Sequence, residues 1–190
     1  MAIDRMRRMG LLAALPLVVA AGCAKKQEGM VAQGPAEGEL RAFDTLPPAD
    51  RDFMLQASAA NLAATRVGQL GMDRGESDRV KNIGRDLVDT HTKLAAQLRD
   101  AAARERVAVP SVQLSPDQQQ LVDQLSGLSG AQFDQAFLNA VVNLQHQTIA
   151  SFQNEAMHGQ DAVLAEFANQ SLPTLNDRAR FVQRQMAPPL

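Results

Sequence analysis

The sequence predicts an all-α protein, a bundle of four long helices with one additional short helix. After residue 47, apolar residues recur at three-, four- and seven-residue spacing, which is the period of a helix that buries one face. The same region lacks the strict alternation of apolar and polar residues that is typical of a half-buried strand. Capping residues and glycines divide it into five helical segments.

The first two segments are predicted to form a pair of long helices. The first begins near Asp50, its expected N-cap, and ends at about Gly71. The second is capped by Ser77 and ends at about Arg106. The first helix carries a narrow stripe of small and apolar residues that would let a neighbouring helix approach closely. This stripe consists of Phe53, Ala57, Ala60, Ala64 and Val67.

A connector with Pro110 leads to the short third helix, where Ser115 and Gln118 form the sequence pattern of a capping box. This helix is expected to end within the glycine- and serine-rich stretch "SGLSG". The connector and the short helix together separate the first two long helices from the last two.

The fourth helix repeats the capping pattern with Ser129 and Gln132 and is expected to end at His158, which precedes a glycine. The fifth begins near Asp161 and extends to about residue 185. Pro173 lies inside it and is expected to kink it, because the proline ring removes a backbone donor and clashes with the preceding turn.

Residues 1–22 resemble a secretory signal peptide. Three arginines precede an apolar run of about a dozen residues, against the roughly 20 that a membrane-spanning helix needs. The only cysteine, Cys23, directly follows "VAAG", which resembles a bacterial lipoprotein signal; a plain signal peptide beside an unrelated cysteine is the alternative. We expect Cys23 to carry lipid. Ala24, rather than aspartate, follows it, and this favours an outer membrane lipoprotein that faces the periplasm.

Residues 23–47 mix charge, glycine and proline and are expected to form the lipidated N-terminus and a flexible tether to a helical bundle at residues 48–186. The leader carries three arginines and one aspartate, so its removal changes the net charge from −2 to −4. Because the chain is acidic and has no tryptophan or tyrosine, nucleic-acid binding is disfavoured. The expected partners are the membrane, through the lipid, and an unidentified envelope protein; a homodimer through the alanine-rich stripe stays open.

Catalytic patterns are sparse. A di-iron bundle needs two Glu-x-x-His pairs, and the sequence has one, Glu155 with His158, at a helix end where solvent exposure is expected. The chain has no zinc-protease His-Glu-x-x-His motif and no Gly-x-Ser-x-Gly nucleophile turn. We therefore expect no catalytic residue, no metal site and no cofactor.

Two histidines on long helices need separate consideration. His91 aligns with Leu87 and Leu94, and His146 aligns with Val142 and Ile149, so both are expected to point inward. Two imidazoles with added carboxylates can hold Zn²⁺, but each can also bind a buried polar partner. The second interpretation is preferred, because no carboxylate is assured between them.

Four stretches in this order resemble the bacterial family called domain of unknown function 4142: "DRDFMLQASAANLAATRVGQL", "LVDTHTKL", "FDQAFLNAVVNLQHQTIASFQNEA" and "FANQSLPTLNDRARF". The resemblance implies a ferritin-like bundle, and many members are described as outer membrane proteins. The family commonly has a histidine where this chain has Arg178. His91, His146 and Arg178 are therefore expected to form an interior polar cluster, with Arg178 paired to an acidic residue.

The sequence thus predicts a non-enzymatic envelope lipoprotein that acts through protein contacts or supports the envelope under stress. The alternative is a metal-binding or redox bundle that uses His91 and His146. A third and weaker hypothesis is a carrier that holds a small ligand in a crevice lined by the small residues of the first helix.

Overall fold

The structure, a computed structural model, describes residues 42–186. A 3₁₀ turn (Phe43–Thr45) precedes five α-helices, which confirms the predicted all-α class. The helices are α1 (Pro48–Arg74), α2 (Asp78–Arg104), α3 (Pro116–Ser126), α4 (Gly130–His158) and α5 (Ala162–Met186). The predictions for the signal peptide, for Cys23 and for most of the tether fall outside the described residues. Within residues 42–186, no helix has the length and hydropathy needed to cross a membrane.

The four long helices form two antiparallel hairpins, α1–α2 and α4–α5, joined by α3 and its flanking connectors. Helix α1 packs against α2 and α4, and α5 packs against α2 and α4. Phe53, near the start of α1, contacts Phe152, near the end of α4, so these two helices are antiparallel. Arg79, at the start of α2, donates to the carbonyl of Gln185, at the end of α5. Each long helix therefore runs antiparallel to both of its neighbours.

Helices α1 and α2 approach until their backbones touch. A Cβ on Gly68 would lie 2.7 Å from the carbonyl oxygen of Gly84, and a Cβ on Gly84 would lie 2.6 Å from that of Gly68. The predicted small-residue stripe of α1 is likewise in the interior, where Ala57 and Ala64 are each 1% exposed. Ala60, in the middle of the stripe, is half-buried.

The apolar core consists of two clusters. The first surrounds Phe53 and Phe152, whose ring centroids lie 5.1 Å apart, and the second surrounds Phe133 and Phe137. Three helices each carry a buried polar residue between their contributions to the two clusters. These residues are Asn61, His91 and Gln145. We call these three residues the polar layer.

The two hairpins repeat one another at a constant spacing of 84 positions. The pairs that show it include capping residues, aromatic core residues, turn glycines and members of the polar layer. They are Asp50 with Asp134, Phe53 with Phe137, Asn61 with Gln145, Gly75 with Gly159, and Ser77 with Asp161. Each member of a pair occupies the same place in its own hairpin.

The helix ends largely follow the sequence pattern, with two corrections. Ser115 forms the predicted capping box of α3. Ser129 is the N-cap residue of α4, but its side chain makes no capping hydrogen bond to the helix. Asp50 is not the N-cap of α1; Pro47 holds that position, and Asp50 lies inside the helix. Helix α5 continues through Pro173 from Ala162 to Met186.

Candidate functional site

His91 on α2 and Asn61 on α1 form a buried pair in the polar layer. His91 Nδ1 lies 2.9 Å from Asn61 Oδ1, and the residues are 2% and 3% exposed. Burial lowers the pKa of His91 to about 4, so the imidazole is neutral at neutral pH. Because an amide oxygen only accepts, Nδ1 carries the proton and donates it. The structure thus places His91 in the interior as a hydrogen-bond donor.

His146 lies on the exposed face of α4, while the preceding residue, Gln145, is buried. Val142 and Ile149, with which His146 aligns, are only half-buried and mark the edge of the buried face. The prediction that His146 points into the bundle is therefore wrong. One imidazole faces the interior and the other faces solvent, so His91 and His146 do not meet as a metal site requires.

Arg178 connects α5 to α2 near the surface. Its Nη1 donates to Asp86 Oδ1 at 2.7 Å, which is the acidic partner that the sequence suggested. The Arg178 side chain is 43% exposed and that of Asp86 is 22% exposed. Burial raises the pKa of Asp86, and the charge and hydrogen bond of Arg178 oppose this rise. The interior cluster of His91, His146 and Arg178 therefore does not form.

Asp134 on α4 closes the turn between α1 and α2. Its Oδ1 accepts from the backbone N–H of Glu76 at 2.9 Å, and its Oδ2 accepts from the N–H and the hydroxyl of Ser77 at 3.0 and 2.6 Å. Burial alone would raise the pKa of Asp134, but these hydrogen bonds and the charge of Arg79 lower it below its ordinary value. An ionised carboxylate of one hairpin thus holds the turn of the other.

Asp50 on α1 caps the turn between α4 and α5 in the same way. Its Oδ1 accepts from the backbone N–H groups of Gln160 and Asp161 at 2.9 and 3.1 Å. Asp50 is fully buried, and its Oδ2 finds no donor when the neighbouring Glu155 is ionised. A protonated Glu155 would supply that donor.

Glu155 is buried, which corrects the expectation that Glu155 and His158 are both exposed; only His158 faces solvent. Burial raises the pKa of Glu155 to about 8, together with the hydrogen bond to Asp50 and the negative charges of Asp50 and Asp161. Below this pH, Glu155 is protonated. Gly159 makes room for the pair, because a Cβ there would lie 2.7 Å from Glu155 Oε1.

Two crevices flank the connector between α2 and α3. One, of about 290 Å³, lies between α1 and α4 beside Ser115 and is lined by Ala57, Ala59 and Ala60. The other, of about 400 Å³, lies between α1 and α2 under residues 109–112. Both are lined in part by α1, but only the first is lined by the small residues that the third hypothesis names.

Among residues 42–186, no three His, Cys, Asp or Glu side chains come together in a way that could hold a metal ion. The sequence pattern did not predict the roles of Asn61 or of the pair of Asp50 and Glu155. A repeated motif in the sequence could have indicated the role of Asp50. Asp-x-x-Phe begins at Asp50 and again at Asp134, and each is followed by a turn motif, Gly-x-Ser at Gly75 and Gly-x-Asp at Gly159. Recognising the repeat would have assigned both aspartates to the turns.

The family model described as "Domain of unknown function (DUF4142)" matches residues 36–184, which is most of the chain. The protein belongs to the DUF4142 family. No curated protein matches this DUF4142 member. Its fold is similar to the crystal structure of a DUF305 fragment from Deinococcus radiodurans, with a TM-score of 0.61 and 15% identity, over 73% of this chain and 95% of that one. At this identity the similarity shows the helical fold alone.

Proposed function

We propose that this DUF4142 protein is a lipid-anchored envelope protein that is held at the outer membrane through Cys23, faces the periplasm and acts through protein contacts without catalysis. The position of Cys23 carries the proposal. It is the single thiol of the chain, and it directly follows a basic segment, an apolar run and the small residues of "VAAG". Bacterial lipoproteins use a cysteine at this point.

A role without catalysis is supported by the buried ionisable groups of the bundle, which hold helices and turns together. His91 is bonded to α1, Asp134 to the α1–α2 turn, and Asp50 to the α4–α5 turn. A general base or nucleophile must be able to reach a substrate. Groups committed to internal hydrogen bonds could do so only if the packing around them opened.

Metabolic labelling with radioactive palmitate in a bacterium with two membranes tests the anchor. The full chain should be labelled and should sediment with the outer membrane, whereas Cys23→Ser should be unlabelled. Ala24→Asp is the matched sorting variant, which should keep the label and move to the inner membrane. Absence of label from the unsubstituted chain, or label on Cys23→Ser, would refute the proposed attachment.

A further inference from the structure

The larger crevice, of about 400 Å³, follows the seam between α1 and α2. Half of its lining residues are apolar: Leu62, Ala95, Leu98, Val109, Pro110 and Val112. Its volume lies within the roughly 300–1,000 Å³ range of small-molecule sites, which are mostly apolar with a few convergent polar groups. The crevice therefore has the size and the walls of a ligand site.

The connector that covers the crevice is held in place at the end of α2. Arg106 adopts a left-handed backbone conformation with φ of 57°, and its N–H bonds to the carbonyl of Ala103 at 3.0 Å. The N–H of Val107 bonds to the carbonyl of Ala102 at 2.9 Å, and its side chain is 2% exposed. This arrangement is a Schellman cap, which reverses the chain and anchors it with a buried apolar residue. Residues 109–112 can then lie over the seam.

Two residues that line the crevice each have a buried polar atom without a partner, Ser58 Oγ and Asn61 Nδ2. Asn61 Oδ1 accepts a hydrogen bond from His91, so Nδ2 is the amide atom of Asn61 that is left unpaired. A buried donor without an acceptor is costly. A hydrogen-bond acceptor in the crevice that reached these two atoms would remove that cost.

A positive charge lies at the same crevice, since Arg99 lines it and none of its lining residues is acidic. Asn61 pairs with His91 and Gly68 with Gly84, a register that sets Ser58 opposite Leu94. Arg99 follows five residues later on α2, about 8 Å along the helix at the usual rise. Donors and positive charge are thus close together in an apolar crevice.

We propose that the crevice binds a small amphipathic carboxylate. Its apolar body lies between α1, α2 and residues 109–112, and its oxygens accept hydrogen bonds from Ser58 Oγ and Asn61 Nδ2. Arg99 provides the opposite charge. This proposal rests on the bundle alone and is independent of the lipid anchor.

Calorimetric titration of the full chain carrying Cys23→Ser with decanoate tests the proposal without a competing acyl chain. Decanoate should bind with saturation at one site per chain. Decyltrimethylammonium has a similar apolar body and the opposite charge. It should bind at least about tenfold more weakly than decanoate. Arg99→Gln should weaken decanoate by about tenfold. The absence of saturable decanoate binding, or equal binding of the two probes, would overturn the proposal.

Filling the crevice is the second test. Ala95→Phe should abolish decanoate binding, while Ala103→Phe, an exposed position on the same helix outside the crevice, should bind as the parent does. Circular dichroism tests whether both variants are folded. If Ala95→Phe does not fold, a photoreactive decanoate on the parent chain replaces it. Adducts at the crevice residues support the site, and adducts confined to other surfaces refute it.

Discussion

His91 donates a hydrogen bond to Asn61 across the seam of α1 and α2, and Asn61 in turn lines the crevice between these helices. The backbone carbonyl oxygen of Asn61 also accepts a hydrogen bond, from Thr65 Oγ1 at 2.8 Å. Asn61 is thereby fixed from two directions. A change at His91 should therefore affect stability, its dependence on pH, and ligand binding together.

The first prediction concerns acid. The folded-state pKa of His91, about 4, lies below its ordinary value of 6.5, so the unfolded chain takes up a proton that the folded chain does not. This contribution to stability is present above pH 6.5 and is lost as the pH falls towards 4, by at most about 3 kcal/mol. Urea unfolding of His91→Gln should lack this loss. His146→Gln, at an exposed position, should retain it; identical pH profiles for the two variants would contradict the assignment.

The second prediction concerns base and has the opposite sign. The folded-state pKa of Glu155, about 8, lies above its ordinary value of 4.5, so its contribution is present below pH 4.5 and is lost as the pH rises through 8. Glu155→Gln keeps a donor for Asp50 and removes the titration. The variant should therefore exceed the parent in unfolding free energy at pH 8.5 by about 1–3 kcal/mol.

The exposed Glu76 provides the control for this comparison. Glu76→Gln should follow the parent at every pH between 5 and 9 in the same urea titrations, within about 0.5 kcal/mol. If Glu155→Gln were less stable than the parent at pH 8.5, the pKa of Glu155 would not be raised in the folded chain.

The third prediction concerns the capping aspartates. Asp134→Ala removes three hydrogen bonds to a charged acceptor at the α1–α2 turn, so it should lower the unfolding free energy by about 2–4 kcal/mol. Asp123→Ala, on the exposed surface of α3, should change it by no more than about 0.5 kcal/mol. Thermal unfolding followed by circular dichroism compares them. Equal melting temperatures for both variants would show that the turn does not depend on Asp134.

The fourth prediction concerns the cap of α2. Arg106 has a left-handed backbone conformation, which glycine adopts without steric cost. Arg106→Gly should therefore raise the unfolding free energy by about 0.5–1 kcal/mol. Arg104→Gly, inside the last turn of the same helix, should lower it by about 1 kcal/mol. A fall in stability for Arg106→Gly, measured by urea unfolding, would argue against the Schellman geometry.

Most of the secondary structure could be predicted from sequence because its determinants are local. The capping box at Ser115 and the cap at Ser77 need only residues three positions apart. The orientation of His146 could not be predicted in the same way. A helix turns by 100° per residue, and a residue in line with half-buried positions can point either inward or outward. Which side is buried depends on the neighbouring helices.

The pairs that the sequence did not predict join distant residues. Glu155 is a surface residue by composition and becomes a buried acid only because Asp50, 105 positions earlier, packs against it. Asn61 acquires its role from His91 on the next helix. Neither partner lies within a helical turn of the other, so no periodicity connects them.

The reciprocal caps have a consequence for assembly of the native state. The N–H groups of each hairpin turn are capped by an aspartate of the opposite hairpin, Asp134 for the first turn and Asp50 for the second. A hairpin by itself would keep an open turn with unsatisfied N–H groups, however well its two helices packed. We therefore expect closure of both turns to accompany docking of the two halves, which favours cooperative folding of the bundle.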